Sequence, residues 1–352
     1  MSNHTGNRNV KRYIVLCLLV VAAAVVRAQF DPQIGQYMYL PTAYNPAAAG
    51  EGDLMKVAGM HRMQYVDIKN APMTTWFSFT SPFVIGKTRH GAGIRFLNDR
   101  YGLFTNQAFY VQYAYRQKLG KGYLSFGVDL GFINVGFKGD SVNLKDLNGS
   151  DYFDQTDEVI PKGSKSGMSY DMGFGIYYST STWWVGGSYS HLTHPKIDWD
   201  DYSTLHLRGT MYVAGGYNYR FKDHRDWQLK PSAMLMSDFR SWDLNVTLLC
   251  EYKDRYRWGL GYRIAGSVNI LVNIDIISGL QLGYSCELPT GKLLLESYGS
   301  HEIYLAYGFD ILKPKRTNKY KSVRYLSKVR WIRLGWAVFT GDKRIFIRLF
   351  KK

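Results

Sequence analysis

The chain has 352 residues, of which 16% are aromatic, 35 are glycine and 10 are proline. The length suits one large domain or two ordinary ones, and the composition is typical of many strands with tight turns rather than of a helical enzyme. The formal charge of +16 is localised, because residues 1–28 carry 4 basic and no acidic side chains, and residues 313–352 carry 14 basic and one acidic. The other 26 basic and 27 acidic side chains nearly cancel within residues 29–312, so the net charge is no argument for nucleic-acid binding.

Residues 1–28 have the pattern of a secretory signal peptide. Three basic residues at positions 8–12 precede an apolar run from Tyr13 to Val26, and Ala28 ends a cleavage-type sequence. The run is shorter than the ~20 residues that a spanning helix needs. We therefore expect cleavage after Ala28 rather than a permanent membrane anchor.

From residue 53 to residue 312 the dominant hydrophobic period is two, which predicts strands with one apolar and one polar face. Within Gly122 to Phe137, for example, apolar Leu124, Phe126 and Val128 alternate with serine, glycine and aspartate. The pattern predicts fourteen strands, near 53–65, 72–81, 89–98, 104–118, 122–137, 168–179, 183–192, 207–221, 226–236, 241–253, 256–264, 267–277, 279–288 and 302–312.

The strand lengths and the second face distinguish a membrane barrel from a soluble sandwich. Strands of about 10–15 residues are long for a sandwich but suit tilted strands in a bilayer. Glycine and small polar residues on the other face suit a barrel interior. The sequence therefore predicts an all-β fold, a single-chain transmembrane β-barrel of about 14 antiparallel strands occupying residues 53–312.

The predicted connections separate by length. The longest, 138–167, 193–206 and 289–301, all follow odd-numbered strands, whereas short turns at 119–121, 180–182 and 278 follow even-numbered ones. Outer-membrane barrels place short turns in the periplasm and long loops outside. We therefore expect a location in the cell outer membrane with both termini periplasmic.

No catalytic, cofactor or metal pattern emerges from the sequence, so we expect no enzymatic activity, no cofactor and no metal. The acidic residues within loop 138–167, and Asp198, Asp200 and Asp201, match no EF-hand spacing and favour solvated loops. His191 and His194 lack further ligands at a suitable spacing and favour an interfacial position. Cys250 and Cys286, which remain after cleavage, are interpreted as isolated small hydrophobic residues.

Residues 313–352 form a basic, aromatic-rich tail after the last predicted strand. Tryptophan and phenylalanine alternate with lysine and arginine from Val323 to Phe350. A periplasmic tail of this kind could contact an anionic membrane surface, peptidoglycan or an acidic partner.

Residues 29–52 form an irregular lead-in to the barrel. Asp31-Pro32 and Asn45-Pro46 exclude a regular helix, since the residue before a proline is pushed out of helical geometry. Its tyrosine and methionine content is too high for a solvated linker. We expect it either to fold into the lumen as a plug or to lie along the periplasmic rim.

Several short sequence blocks follow one another in a specific order along the chain. The blocks at the start of the mature chain are Asp31-Pro32-Gln33, Gln36-Tyr37-Met38, Pro41, Asn45-Pro46-Ala47 and Ala49-Gly50. They continue with Arg62-Met63-Gln64-Tyr65, Ala71-Pro72-Met73-Thr74, Trp184-Val185-Gly186-Gly187-Ser188 with His191-Leu192, Gly215-Gly216-Tyr217, Lys230-Pro231-Ser232 and Gly259-Leu260-Gly261-Tyr262-Arg263. Taken in this order, the blocks resemble the PorP/SprF family of the type IX secretion system of Bacteroidetes. The basic tail departs from the family pattern, in which the chain ends close to the final strand.

The resemblance implies a non-enzymatic outer-membrane component that supports protein export or the surface anchoring of adhesins. Its partners would be the periplasmic ring of the secretion machinery or a large surface adhesin. The alternative is a passive outer-membrane channel or transporter for small solutes, because a lumen of fourteen strands conducts unless it is plugged.

The candidate interaction residues lie in the lead-in and the first two strands. They are Asp31, Pro32, Gln36, Tyr37, Asn45, Pro46, Gly50, Arg62, Gln64, Pro72 and Thr74. We expect Arg62 and Gln64 to face the lumen, to alternate with Met63 and Tyr65, and to hydrogen-bond the segment 31–50, since an unpaired buried charge is costly.

Overall fold

The computed structural model describes residues 31–138, 163–200, 203–264, 266–277 and 279–309. The predicted signal peptide, most of the acidic loop 138–167 and the basic tail lie outside these residues. None of the helices in the described part of the chain is long and apolar enough to cross a membrane.

The described chain contains seventeen strands. They are β1 Met55–Met63, β2 Met73–Ile85, β3 Thr88–Tyr101, β4 Phe104–Leu119, β5 Gly122–Lys138, β6 Ser164–Ser179, β7 Trp183–Ser190, β8 Lys196–Asp200, β9 Ser203–His206, β10 Thr210–Tyr217, β11 Tyr219–Arg220, β12 Trp227–Ser237, β13 Trp242–Tyr252, β14 Tyr256–Arg263, β15 Ser267–Ile277, β16 Leu280–Pro289 and β17 Ser300–Phe309.

All but β8 and β9 belong to one antiparallel sheet that closes on itself. β1 pairs with β17 from Met55↔Phe309 to Met63↔His301, and β10 pairs with both β7 and β12. β11 is a two-residue continuation of β10 beyond Asn218, so the sheet forms a barrel of fourteen strands. The prediction of an all-β, fourteen-stranded antiparallel barrel is confirmed.

The alternation seen in the sequence becomes the two faces of the barrel wall. In β5, Ser125, Gly127 and Asp129 are buried and face inward, whereas Phe126 and Val128 are exposed outward. Closure leaves the fourteen-stranded sheet without an edge strand, and the outward band of apolar residues matches a lipid environment.

The two ends of the barrel differ in their connections. Counted around the barrel from β1 as the first strand to β17 as the fourteenth, even-numbered strands are followed by turns of two to six residues, as between Ile85 and Thr88 or between Tyr252 and Tyr256. The four longest connections, β1–β2, β5–β6, β7–β10 and β16–β17, all follow odd-numbered strands, whereas the other three connections at that end span two to four residues. We call these the short-turn end and the long-loop end.

The connection predicted at 193–206 is not entirely irregular, because it contains the β8–β9 hairpin. Lys196 pairs with His206 and Ile197 with Leu205. Ile197 is fully buried in a small apolar cluster with Val135 and Leu207, and Trp199 Nε1 donates to the carbonyl of Val135 at 2.7 Å. The hairpin therefore packs against the long-loop end of the wall.

Candidate functional site in the barrel lumen

Residues 31–50, which we call the luminal segment, lie inside the barrel. Seventeen of these twenty residues are buried. Pro41–Ala43 and Pro46–Ala48 form two short 3-10 turns that begin with proline, whose fixed φ suits the first helical position. Asn45 caps the second turn, since its side-chain oxygen accepts from Ala47 N at 2.9 Å.

The first half of the segment is held by the wall from β12 to β17. Glu302 on β17 accepts from the backbone N–H groups of Gly35 at 2.9 Å and Gln36 at 2.8 Å. Tyr37 shares a hydrogen bond of 2.9 Å with Ser232. The segment thus receives its hydrogen-bond partners from the barrel interior, as buried backbone groups require.

The second half crosses to the opposite wall, formed by β3 to β7. Four side chains donate to backbone carbonyls of the segment: Gln112 to Thr42 at 3.0 Å, Arg95 to Ala43, Ser188 to Tyr44 at 2.6 Å, and Arg116 to Gly50. Asn45 Nδ2 in turn donates to the carbonyl oxygens of Ile176 and Gly187. The luminal segment therefore forms hydrogen bonds with both walls of the barrel.

Inward-facing glycines provide the space for this second half. A Cβ on Gly127 would overlap the backbone of Pro46 and Ala47, and one on Gly91 would overlap Ala49. A Cβ on Gly175 would likewise overlap the Asn45 side chain. Glycine at these strand positions permits the close approach of a second backbone.

Asp31 is fixed by an ionic cluster near the long-loop end. His191, which follows β7, contacts Asp31 at 2.8 Å through Nε2 and Asp171 at 2.7 Å through Nδ1. Tyr212 donates to the other oxygen of Asp31 at 2.7 Å. His191 is buried in this cluster rather than at the membrane interface expected from the sequence.

Both ends of this contact are charged. Burial opposes a charge on either group, but the neighbouring carboxylates of Asp31 and Asp171 outweigh it and raise the pKa of His191 to about 10. Burial likewise opposes ionisation of Asp31, yet His191 and the Tyr212 hydroxyl lower its pKa to about 2. The imidazolium is therefore held as an ion-pair partner between the two carboxylates.

The position of Asp31 bears on the expected location of the termini. Asp31 lies beside the residue after β7 and near the start of β10, hence toward the long-loop end, whereas both termini were expected at the short-turn end. The segment leaves the lumen at the opposite end, where Asp53 pairs with Arg89 before β1 begins. The termini themselves lie outside the described residues.

Arg62 is fully buried and faces the lumen, but it reaches the luminal segment through Glu302 rather than by a direct hydrogen bond. Its guanidinium contacts Glu287 at 2.5 Å and Glu302 at 3.4 Å. Gln64 lies at the end of β1, where its amide oxygen can accept from Arg62 at 3.2 Å and its backbone N–H donates to Pro72. The expected direct contact of Gln64 with residues 31–50 is not seen.

Thr74 and Pro72 lie next to this group, but only Thr74 is buried inside the barrel. Thr74 pairs with Arg62 across β1 and β2 and donates to Asp99 at 2.6 Å inside the barrel. Pro72 precedes β2, is partly exposed and contributes its carbonyl to Gln64. Pro32 is partly exposed beside Asp31. The candidate residues therefore converge on the lumen with the exception of the two prolines at its margin.

Several other luminal charges also form ion pairs. Arg95 contacts Asp129 at 3.1 Å, and Arg263 contacts Glu287 and Asp243. Near the short-turn end, Lys230 and Arg257 share Glu251, and Arg257 also contacts Asp275 at 2.8 Å. Within the described part of the chain, no group of three or more His, Cys, Asp or Glu side chains is arranged to hold a metal ion.

The sequence analysis did not identify Glu302, Glu287 and Asp129. These carboxylates hydrogen-bond the luminal segment or pair with arginines of the barrel wall. Each lies at an inward position of a strand whose alternation was recognised. A rule that treats every inward charge as requiring a luminal partner would have selected them.

The fold and the lumen define a class, an outer-membrane β-barrel whose interior is occupied by its own N-terminal segment. The sequence profile described as "Type IX secretion system membrane protein PorP/SprF" matches residues 26–307. The chain therefore belongs to the PorP/SprF family and is a membrane component of the type IX secretion system. No curated protein matches the chain.

Solved barrels are similar to this chain at low identity. The Ralstonia pickettii toluene transporter TbuX is 14% identical with a TM-score of 0.43, over 75% of this chain and 92% of that chain. The toluene transporter TodX from P. putida is 10% identical with a TM-score of 0.38, over 75% and 92%. The translocator domain of the autotransporter NalP from Neisseria meningitidis is 10% identical with a TM-score of 0.38, over 74% and 89%. Identities this low do not indicate what this chain transports or binds.

Proposed function

We propose that this protein is a non-enzymatic scaffold of type IX secretion, which supports export or surface anchoring of secreted proteins and adhesins without conducting them through its own lumen. The observation that carries this proposal is the luminal segment. Seventeen buried residues of one stretch fill the space through which a cargo chain would pass. An interior filled in this way favours binding at the ends or outer face of the barrel.

The stability of the segment in the lumen supports a permanent closure. Its contacts come from both walls, and its first described residue is held by a buried ion pair. Removing it would break the hydrogen bonds that its backbone forms with Glu302, Arg95 and Arg116, at a cost of about 1.5–3 kcal/mol for each hydrogen bond to a charged group. This cost opposes a passive channel for small solutes, the alternative function.

Gene deletion tests the proposed role. A strain without this gene is expected to lose surface display of at least one type IX cargo, measured by surface proteomics and restored by the wild-type chain. Normal surface levels of every such cargo would contradict the proposal. Complementation by a chain that ends at residue 312 tests whether the basic tail takes part.

Conductance separates the scaffold from the channel. Purified protein in planar bilayers is expected to show no sustained solute-sized conductance. A steady conductance that added solute blocks would favour the channel instead. Co-purification of periplasmic ring components or of one large adhesin with the mature protein would then distinguish export from anchoring.

A further inference from the structure

The turn that joins β13 to β14 at the short-turn end has an unusual backbone. Lys253 and Asp254 both have a φ of 54°, in the left-handed region. Other short turns place glycine in this region, as at Gly86 with φ 62° and Gly120 with φ 58°. Hairpin turns with two successive left-handed residues favour Asn-Gly, so a lysine and an aspartate here carry a conformational cost.

The turn carries two cations, Lys253 and Arg255. The acid between them, Asp254, is paired with side chains outside the turn. Asp254 accepts from Arg220 at 2.7 Å and from the amide of Gln228. Arg255 is held by the backbone carbonyls of Asp275 at 3.1 Å and Ile276 at 3.3 Å. Neither Lys253 nor Arg255 forms an ion pair with a carboxylate of the described residues. Asp226 accepts from Lys253 N at 2.7 Å through its backbone carbonyl, and its carboxylate also interacts electrostatically with Lys253.

A cluster of aromatic rings lies directly beside these cations on the outer face. The ring centroids of Trp227 and Tyr252 are 4.8 Å apart, and those of Trp227 and Trp258 are 5.8 Å apart. Lys253 lies 5.0 Å from the Tyr252 ring, and Arg255 lies 5.3 Å from the Tyr256 ring. Trp227 and Trp258 remain 37% and 41% exposed, so the rings offer a free apolar surface.

The outward faces of the strands connect this aromatic surface to the apolar band of the barrel wall. On the outward faces of β13 and β14, Leu248 is 48% exposed and Leu260 is 61% exposed. Tryptophan and tyrosine at the ends of such a band mark the membrane–water interface. The aromatic cluster is thus at headgroup level, with the two cations above it and aliphatic side chains below.

We propose that this turn and ring cluster form a binding site for an anionic phospholipid of the leaflet at the short-turn end. The phosphate would lie between Lys253 and Arg255, and the acyl chains would lie along Trp227, Trp258 and the leucines. Arginine and lysine bind phosphate by charge-assisted hydrogen bonds, and cations near a membrane surface favour anionic lipids. The site is independent of the role proposed in secretion.

A lipid fits better than a protein at this place. The rings belong to the same outward faces as the lipid-facing leucines, so a protein partner would have to displace lipid along the strands. The charges instead lie at the height where lipid phosphates are found. The occupant is therefore a membrane component with a negative headgroup.

Native mass spectrometry of the purified barrel with added cardiolipin or phosphatidylethanolamine tests the site. The wild-type chain is expected to retain cardiolipin preferentially. K253Q/R255Q should bind cardiolipin about 30-fold more weakly, since each surface cation contributes about fivefold. The matched control K87Q/K121Q removes two cations from other short turns and should change binding less than twofold.

Three outcomes would overturn the proposal. They are equal binding of both lipids by the wild-type chain, unchanged cardiolipin binding by K253Q/R255Q, and an equal loss in the control. Lys253→Asn guards against misfolding, because asparagine tolerates the left-handed backbone that lysine resists. This variant should weaken cardiolipin binding about fivefold while keeping the heat-modifiable gel mobility of a folded barrel, and unchanged binding would also overturn the site.

Discussion

Arg62 shows how a single inward charge connects the barrel wall to the luminal segment. It lies between Glu287 on β16 and Glu302 on β17, and Glu302 simultaneously accepts two backbone N–H groups of the segment. The guanidinium therefore offsets the charge of Glu302. The same carboxylate also accepts hydrogen bonds from the backbone of residues 35 and 36. Burial makes each member of this group costly without the others.

Arg62→Met is expected to destabilise the folded barrel by about 3–5 kcal/mol, because it leaves buried carboxylate charge without its partner. Urea unfolding in lipid vesicles measures this change. Lys69→Met, which removes an exposed loop cation, should change stability by less than about 0.5 kcal/mol.

A double-mutant cycle with Glu302→Gln tests the coupling. The double variant should be less destabilised than the sum of the two single variants, since removal of both charges leaves fewer unpaired. Additive effects, or a stable Arg62→Met barrel, would show that the two side chains act independently.

Sequence analysis predicted the contacts of individual residues least well. Arg62 was expected to face the lumen because an arginine in an alternating strand needs partners, and the structure places it there. Its acidic partners lie 225 and 240 residues away in the chain. Only the closure of β1 against β17 brings them together, and the register of that pairing cannot be read from local periodicity.

At the scale of elements, the strands and the luminal segment were predictable for different reasons. The fourteen strands follow from a strict period of two over many residues. The β8–β9 hairpin was missed because its strands span only 5 and 4 residues. The choice between plug and rim for the segment depended on wall glycines that face it, and a glycine in a strand has several explanations.

The glycine at position 127 provides a direct test of the fit between wall and segment. Gly127→Ala is expected to cost about 1–3 kcal/mol of folding stability, because the new methyl overlaps the backbone of Ala47 and the segment must shift. Urea unfolding measures the loss, and planar-bilayer recordings would show whether the shift opens a conducting path.

Gly136→Ala is the matched control on the same strand. A Cβ there meets its nearest atom, the carbonyl oxygen of Lys165, at 3.6 Å, an ordinary contact. Its stability should change by less than about 0.5 kcal/mol. Equal effects of the two substitutions would mean that the loss arises from the strand backbone and not from the luminal segment.

At the scale of the whole molecule, the barrel is asymmetric from end to end. The long-loop end carries the β8–β9 hairpin and exposed apolar side chains such as Leu295, whereas the short-turn end carries the basic turns. The described chain ends at Phe309, at the short-turn end, and residue 31 lies toward the other. The luminal segment therefore runs from the long-loop end of the barrel to the short-turn end.

Cysteine labelling in intact cells tests which end faces outward. Leu295→Cys, at a position 90% exposed on the long-loop end, is expected to react with a membrane-impermeant maleimide. Lys87→Cys, in an exposed short turn, should react only after the outer membrane is permeabilised. Both variants are made with Cys250→Ser and Cys286→Ser, since these two thiols are only partly buried. Labelling of Lys87→Cys in intact cells, with Leu295→Cys protected, would reverse the orientation inferred from the loop lengths and place the basic turns at the cell surface.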